Sequence, residues 1–345
     1  MNRLSLQFVG PHEVRVAEEQ IARPAANQVV VRTVVSGISA GTELLLYRKQ
    51  WPRNVPVDAT IPALAGELVY PLSYGYAAVG RVIEVGSKNL EHWIDALVFS
   101  FNPHRSHFLA TPSELVAVPP SLSSDEAVLL PNMETAVCLV MDGKPTIGEC
   151  IIVLGQGIVG LLTTSLLTRF PLGCLVTVDG FHLRRQRSLA LGATVSLDPA
   201  DPERMAIIGD LFAKQGSHDG ADLIYELSGN PSALDQAIET AGFCGRIVVG
   251  SWYGSKRVNL DLGGRFHRNR VRLISSQVSS VAPELTGRWS KSRRLATALK
   301  LLETVRPAEL ITHRFPLTRA SDAYELLDQH PGEAIQVIFE YEDRT

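Results

Sequence analysis

The chain has 345 residues, of which 45% are hydrophobic and 20% are charged, and its formal net charge at pH 7 is −3. This length favours two domains, and the composition is that of an ordinary globular protein. Because the charge balance is slightly acidic, it argues against nucleic acid and against an anionic membrane as partners.

The cysteines and the first residues bear on location. The four cysteines are far apart, form no C-x-x-C pair and have apolar neighbours: Cys138, Cys150, Cys174 and Cys244. They are expected to be buried free thiols of a cytoplasmic protein. Residues 1–8 lack the apolar core of a secretory signal. Residues 150–168 carry no charge, but their glycines and threonines argue against a membrane span.

The first part of the chain has the pattern of short strands separated by turns that contain glycine and proline. Strands are predicted at 14–16, 28–35, the end of 75–86, 96–101 and 115–118. Residues 36–43, which are mostly small, are predicted to be a loop. A series of this kind predicts a small, partly open β-barrel.

The hydrophobic period changes near residue 124. The strands predicted beyond it alternate with helices at 158–170, 184–191, 203–214 and 231–241, and lie at 151–154, 175–179, 223–227 and 245–250. This alternation predicts an α/β fold with a doubly wound parallel sheet. A basic amphipathic helix at 290–304 is followed by β character at 312–317 and 334–340. We therefore expect domains at 1–125 and 126–280, with residues 281–345 returning to the first.

Three glycines follow the strand at 151–154 with G-x-G-x-x-G spacing, in the segment Gly155, Gln156, Gly157, Ile158, Val159 and Gly160. The first glycine allows a tight turn, the second lets a diphosphate approach the backbone, and the third lets the helix pack closely. The helix N-terminus then favours the phosphates. Asp179, at the tip of the next strand, is placed to accept the ribose hydroxyls of NAD. The alternative is an ordinary βαβ unit with a glycine-rich turn.

The charges near this turn bear on the choice of cofactor. Asp179 repels a 2′-phosphate and favours NAD, whereas Arg184 and Arg185 follow closely and could accommodate NADP. Ser228 and Gly250 lie at the ends of predicted strands, on the edge where open α/β sheets bind ligands.

The sequence resembles the medium-chain dehydrogenase/reductases, the zinc alcohol dehydrogenases and quinone oxidoreductases, over nearly its whole length. The motifs that carry the resemblance are Ser36–Glu43, Gly75–Gly86, Glu134-Thr135-Ala136, Gly155–Gly160 with Asp179, Leu191–Ala193, Glu226–Pro231 and Gly245–Gly250. The loops at 36–43 and 70–76 are most similar to bacteriochlorophyllide a hydroxyethyl dehydrogenases. The resemblance implies a GroES-like β-barrel catalytic domain, a Rossmann domain, an active site in the cleft between them and a homodimer formed near residues 270–280. It also places Thr135 near the cofactor.

The zinc members of this family bind their catalytic metal through cysteine, histidine and cysteine. The corresponding positions here are Ser39 or Ala40, Tyr76 and Pro131, none of which is a good zinc ligand. The four-cysteine structural lobe is also missing. We therefore expect no zinc, although Glu43 and Glu134 leave a rebuilt metal site open.

Without a metal, a hydrogen-bond donor must stabilise the reacting oxygen. Tyr76 is the first candidate because it stands where the ligand histidine would be. Thr42, which matches the proton-relay hydroxyl of the zinc enzymes, is the second, and Ser39 is the third. A packed aromatic is the alternative for Tyr76, and loop capping for Thr42.

Two further groups are ambiguous. The pair His104 and His107 suggests the mouth of the cleft, a metal site or a solvated loop. The basic residues 288–294 suggest an anion site or a solvated face.

These observations predict a zinc-independent NAD(P)-dependent oxidoreductase that acts on a secondary alcohol/ketone pair, a bulky biosynthetic intermediate being one candidate. An enoyl or quinone reductase acting on a conjugated C=C bond is the alternative within enzymes. A non-catalytic dinucleotide-binding protein is the alternative outside them.

Overall fold

The computed structural model describes residues 1–52, 61–64, 68–217 and 219–341. The chain forms two compact units, unit 1 (Met1–Pro131 with Leu302–Thr345) and unit 2 (Asn132–Leu301). The strands are β1 Asn2–Gly10, β2 Glu13–Gln20, β3 Val29–Gly37, β4 Ala78–Val85, β5 Leu97–Ser100, β6 His107–Ala110, β7 Val116–Ala117, β8 Cys150–Leu154, β9 Cys174–Val178, β10 Val195–Leu197, β11 Ala221–Glu226, β12 Ala241–Val249, β13 Arg272–Ser275, β14 Ile311–Pro316 and β15 Gln336–Glu340. The α-helices are α1 Ala40–Tyr47, α2 Ser124–Ala127, α3 Leu130–Gly143, α4 Ile158–Leu167, α5 His182–Ala190, α6 Arg204–Lys214, α7 Pro231–Thr240, α8 Arg265–Arg268, α9 Lys291–Val305 and α10 Ala320–Gln329.

Unit 1 is built on a seven-stranded sheet with the order β14-β15-β3-β4-β5-β7, in which β6 also pairs with β3. All neighbours are antiparallel except β14 and β15. The run of valines in β3 is almost entirely buried, as expected of a central strand. β1 and β2 form a separate antiparallel hairpin.

Unit 2 contains a six-stranded sheet with the order β10-β9-β8-β11-β12-β13, and every pair in it is parallel. This is the 3-2-1-4-5-6 order of the doubly wound dinucleotide-binding sheet, and it confirms the predicted α/β class. From β8 the chain adds strands first to one side of the sheet (β9, β10) and then to the other (β11, β12, β13), so the strand order changes direction between β8 and β11. Ligands of such sheets bind at that point, outside the carboxyl ends of the strands.

The structure corrects the predicted loop at 36–43. β3 continues to Gly37, and α1 begins at Ala40. The small residues suggested a loop, but the apolar residues that follow decide the structure, because Leu45, Leu46 and Tyr47 are all buried. Burial of such side chains stabilises a helix more than residue propensity does.

None of the helices in the described part of the chain combines the length and the apolar character that a bilayer-spanning helix needs.

Candidate functional site

The glycine turn between β8 and α4 leaves its middle glycine open. Gly155 has a φ of +92°, and a Cβ there would lie 2.7 Å from the backbone of Ser228. A Cβ on Gly160 would lie 2.0 Å from the carbonyl oxygen of Gly155. At Gly157 the nearest atom to a Cβ would be Nη1 of Arg184, 4.0 Å away. Two glycines are thus required by packing, and the third leaves room at the start of α4 (Ile158, Val159) that fits a diphosphate.

Asp179 follows β9 directly and is only 8% exposed. Its Oδ2 accepts a hydrogen bond from the Gln156 N–H at 2.7 Å, and its Oδ1 accepts one from the Phe181 N–H at 2.8 Å. Each carboxylate oxygen has two lone pairs, so one remains on each oxygen for a ribose hydroxyl. The backbone fixes the carboxylate in place at the edge of the turn.

The side chain of Gln156 is fully buried and ties the turn to the helix. Its Nε2 donates to the carbonyl of Gly155 at 3.1 Å, and its Oε1 accepts from Oγ1 of Thr164 at 2.9 Å. This side chain therefore supports the shape of the turn from inside the protein.

The two arginines after Asp179 have different neighbours. Nη1 of Arg184 lies 4.0 Å from Oδ2 of Asp179, and the guanidinium stands over the Phe181 ring at 4.7 Å. Burial lowers the pKa of Arg184. Arg185 instead pairs with Asp198 at 2.8 Å. Of these two arginines, Arg184 is therefore the one beside the carboxylate predicted to bind ribose, whereas Arg185 donates to the backbone carbonyl of Asp179 at 2.8 Å.

A buried carboxylate that the sequence analysis did not single out joins the loops after β11 and β12. Oε1 of Glu226 accepts from the N–H and the hydroxyl of Ser228, at 2.8 and 2.6 Å, and Oε2 accepts from the hydroxyl of Tyr253 at 2.6 Å. The Gly250 N–H donates to the backbone carbonyl of Glu226 at 3.0 Å. Burial and this carboxylate raise the pKa of Tyr253. The sequence signal that could have identified this residue is its position, because Glu226 is an acidic residue at the end of a buried strand. Thr135, the remaining residue predicted near the cofactor, lies on α3.

In unit 1 the three predicted catalytic residues meet in one hydroxyl cluster. The hydroxyls of Ser39 and Tyr76 form a short hydrogen bond, and the Tyr76 hydroxyl donates to Oγ1 of Thr42 at 3.4 Å. All three side chains are half-buried. Such a cluster can pass a proton along its hydroxyls, because each oxygen can both donate and accept.

The residues adjoining this hydroxyl cluster are fully buried. Oε1 of Glu43 accepts from the Ser39 N–H at 2.7 Å, and its Oε2 lies 3.0 Å from Nε2 of His104. The Tyr324 hydroxyl also donates to Oε2, at 2.5 Å. Burial raises the pKa of Tyr324, and the Glu43 carboxylate raises it further, so the phenol stays protonated.

The network extends beyond His104. Nδ1 of His104 lies 2.7 Å from Oγ of Ser36, which in turn lies 2.7 Å from the Tyr341 hydroxyl. His104 is therefore not a solvated loop residue, and it belongs to the core of unit 1. His107 is half-buried, and burial and Arg32 lower its pKa.

The positions that hold zinc in the resembling family carry hydroxyls and a proline here. In residues 1–52, 61–64, 68–217 and 219–341, no group of three or more His, Cys, Asp or Glu side chains is arranged to hold a metal ion. Glu43 is paired with His104, and Glu134 lies 3.1 Å from Nη2 of Arg294. The side chains of Ser39, Tyr76 and Pro131 offer no thiolate, imidazole or carboxylate, which are the ligands that zinc prefers.

Comparison with known proteins supports both units. A family model described as zinc-binding dehydrogenase matches residues 159–298. D-guloside 3-dehydrogenase of Escherichia coli (strain K12) is 24% identical over 349 residues, covering 96% of this chain and 98% of that protein. An alcohol dehydrogenase of Escherichia coli CFT073 complexed with NADH has a TM-score of 0.77 at 17% identity, covering 98% of this chain and 99% of that one. A protein of Sinorhizobium meliloti 1021 solved with NADP has a TM-score of 0.76 at 17% identity, covering 99% of both chains. These likenesses confirm the predicted combination of a GroES-like unit and a Rossmann unit.

Proposed function

Since the chain belongs to the medium-chain dehydrogenase/reductase superfamily, we propose that it is a zinc-independent oxidoreductase that transfers hydride between a nicotinamide cofactor and a secondary alcohol/ketone pair. The observation that carries this proposal is the hydroxyl cluster of Ser39, Thr42 and Tyr76. Ser39 and Tyr76 stand where the resembling zinc enzymes have metal ligands, and Thr42 matches their proton-relay hydroxyl. The family model described as zinc-binding covers only residues 159–298 and so includes none of these positions.

The cofactor and the residues of the hydroxyl cluster have different roles in the proposed reaction. The nicotinamide supplies or accepts the hydride. Tyr76 donates a hydrogen bond to the substrate oxygen and, in the reducing direction, passes its proton to that oxygen as negative charge develops there. Ser39 and Thr42 are hydrogen-bonded to the same phenol and relay a proton to it from solvent, each hydroxyl passing one proton on as it takes up another. Glu43 keeps Ser39 in position through its backbone N–H.

We propose NAD as the preferred cofactor. Support comes from Asp179, whose carboxylate is held by two backbone N–H groups and would repel a 2′-phosphate. Arg184 is the residue that would receive such a phosphate if NADP were used instead. The solved relatives complexed with NADH and with NADP are consistent with either nucleotide.

The proposed substrate is a secondary alcohol or its ketone. The name of the E. coli relative, D-guloside 3-dehydrogenase, supports this class. The loop resemblance to bacteriochlorophyllide a hydroxyethyl dehydrogenases remains a prediction, and with it the suggestion of a bulky biosynthetic intermediate.

The decisive experiment uses NADH that carries deuterium at the transferable position, with a panel of ketones, enones and quinones, and locates the label in the product by NMR. Deuterium on a carbinol carbon supports the proposal. Deuterium on the β-carbon of a former enone, or formation of a hydroquinone from a quinone, would replace it with a conjugated-bond reductase. Saturable NADH binding without turnover of any substrate would point to a non-catalytic binding protein. Metal analysis of the same sample checks zinc independence, since one tightly held zinc per chain contradicts it.

We also propose a homodimer in the cytoplasm. β13 is an edge strand of the six-stranded sheet, and its Leu273 is exposed, which favours pairing with a second copy. The four free cysteines, of which Cys138, Cys150 and Cys174 are buried, suit a reducing compartment. Light scattering of the purified protein tests the dimer, and a monomer at micromolar concentration would contradict it.

A further inference from the structure

Arg294, in the first turn of α9, is buried although its neighbours form a basic, exposed stretch. It is 1% exposed, and every nitrogen of its guanidinium donates at least one hydrogen bond. Nε and Nη2 each lie 3.1 Å from Oε1 of Glu134. Nη1 donates to the carbonyl of Ser280 at 2.7 Å and to Sγ of Cys138 at 3.4 Å, and Nη2 also donates to the carbonyl of Val278. Only the planar fork of an arginine reaches so many acceptors from one place.

The acceptors come from two places, α3 and the segment that follows β13. On α3, Glu134, Cys138 and Asp142 recur every four residues and therefore share one face of the helix. Oδ2 of Asp142 accepts a hydrogen bond from Oγ of Ser276 at 2.6 Å. Residues 276–280, which we call the anchored segment, are thus tied to α3 directly through Ser276 and indirectly through Arg294.

Burial of the Arg294 charge carries a desolvation cost, so the groups that its guanidinium binds indicate what it holds in place. A buried ion pair is often no more stable than apolar residues of similar volume, so it is weak evidence for a role in stability alone. Two of the acceptors here are backbone carbonyls of the anchored segment, at Val278 and Ser280. The guanidinium therefore fixes the path of this backbone, in addition to binding the side chains of Glu134 and Cys138.

The position of the anchored segment in the sheet indicates what the fixed backbone serves. The segment leaves β13 at the carboxyl edge, where doubly wound sheets bind dinucleotides, one mononucleotide on each half of the sheet. The glycine turn after β8 and Asp179 after β9 occupy the half predicted to hold adenosine and diphosphate. The half formed by β11, β12 and β13 is left for the nicotinamide nucleotide.

We propose that Arg294 is a positioning residue for the nicotinamide half of the cofactor and acts through the anchored segment. This inference rests on the proposed function, because it presupposes a nicotinamide dinucleotide. Without the guanidinium, the anchored segment loses its link to Glu134 and moves more freely. Affinity for the nicotinamide end then falls, whereas affinity for the adenosine end does not change.

Calorimetric titration of the full-length Arg294→Lys protein with NADH and with ADP-ribose tests this inference. Lysine keeps the charge but loses the fork. We expect the Kd of NADH to rise about tenfold, which corresponds to about 1.4 kcal/mol of binding free energy, and the Kd of ADP-ribose to stay unchanged. In the protein without ligand, the amides of the anchored segment should exchange hydrogen faster than in the wild type, and those of residues 155–160 should not. Arg293→Lys is the matched control, because Arg293 is exposed and its guanidinium stands over Trp289, 4.1 Å from the ring centre.

Equal changes in the two affinities, or no change in either, overturn the inference and leave Arg294 with a purely structural role. If Arg294→Lys does not fold, Ser276→Ala removes the other anchor without touching the guanidinium. The same split between NADH and ADP-ribose is expected there, and an unchanged NADH affinity in that variant overturns the inference. A wild-type protein that binds neither compound is a different failure, because it removes the proposed function itself.

Discussion

The side chains of Glu43 and His104 meet in the core of unit 1, with Oε2 and Nε2 3.0 Å apart and neither residue exposed. The carboxylate also receives the Ser39 N–H and the Tyr324 hydroxyl. The hydroxyl of Ser39 in turn is hydrogen-bonded to that of Tyr76, the proposed proton donor. Glu43, His104 and Tyr76 therefore belong to one hydrogen-bonded network. The order of the hydroxyl cluster therefore depends on a carboxylate that never reaches the surface.

Replacing Glu43 by alanine should destabilise the protein. It leaves His104, the Tyr324 hydroxyl and the Ser39 N–H without their acceptor, and removing one partner of a buried pair costs about 3–5 kcal/mol. Urea denaturation followed by circular dichroism measures the free energy of unfolding. Glu13→Ala, at an exposed position of β2, is the control and should leave it nearly unchanged. A loss at Glu43 no larger than in the control would show that the network contributes little to stability.

Replacing Tyr76 by phenylalanine should lower turnover about a hundredfold if the phenol transfers a proton. The ring is kept, so stability and NADH affinity should change little. Steady-state kinetics with the substrate found by deuterium labelling give the turnover. Tyr70→Phe is the matched control, because the Tyr70 hydroxyl donates to the backbone carbonyl of Leu46 at 2.7 Å and lies outside the hydroxyl cluster. Equal turnover in the two variants would remove Tyr76 from the mechanism.

The parts of the fold that were predictable from sequence are those set by neighbouring residues. The strand before Gly155, the helix after Gly160 and the acid at Asp179 each have a local signal, and the structure has the strand and the helix where they were predicted. The loop predicted at 36–43 was wrong because a helix there is stabilised by burial against the rest of unit 1, which the small residues do not reveal.

The pairings that organise the site had no such signal. Glu43 and His104 are 61 positions apart, and Glu134 and Arg294 are 160 positions apart. A basic run such as 288–294 suggests a solvated face or an anion site, and only the fold shows that Arg294 turns inward to a buried carboxylate. Ser39, Thr42 and Tyr76 were chosen by resemblance to a family, and the structure brings their hydroxyls together.

Replacing Asp179 by asparagine should shift cofactor preference toward NADP. The change removes the negative charge that repels a 2′-phosphate and keeps Arg184 nearby. It also puts an amide where a carboxylate accepts from Gln156 and Phe181, so NADH affinity should fall about tenfold, as expected for a lost charged hydrogen bond. Calorimetry with NADH and NADPH measures both effects. Asp198→Asn is the control because Asp198 pairs with Arg185, and a similar response in both variants would contradict a specific role for Asp179.

The buried thiol of Cys138 should make the protein less stable at alkaline pH. Burial, reinforced by Asp142, raises the pKa of Cys138 to about 11, whereas an unfolded cysteine has a pKa of about 8.5. The folded state then holds more protons than the unfolded state between these two values, so the free energy of unfolding contributed by this group falls as pH rises through that window. This contribution to the free energy of unfolding is present in full below the pKa of the unfolded cysteine.

Urea denaturation between pH 7.5 and 10.5 should therefore show a steeper loss of stability in the wild type than in Cys138→Ala, whose stability at neutral pH is lower because a buried side chain has been shortened. Cys244→Ala, at a less buried cysteine, is the control and should keep the wild-type slope. Parallel pH dependences in the wild type and Cys138→Ala would show that the Cys138 thiol does not titrate in the folded protein as its surroundings predict.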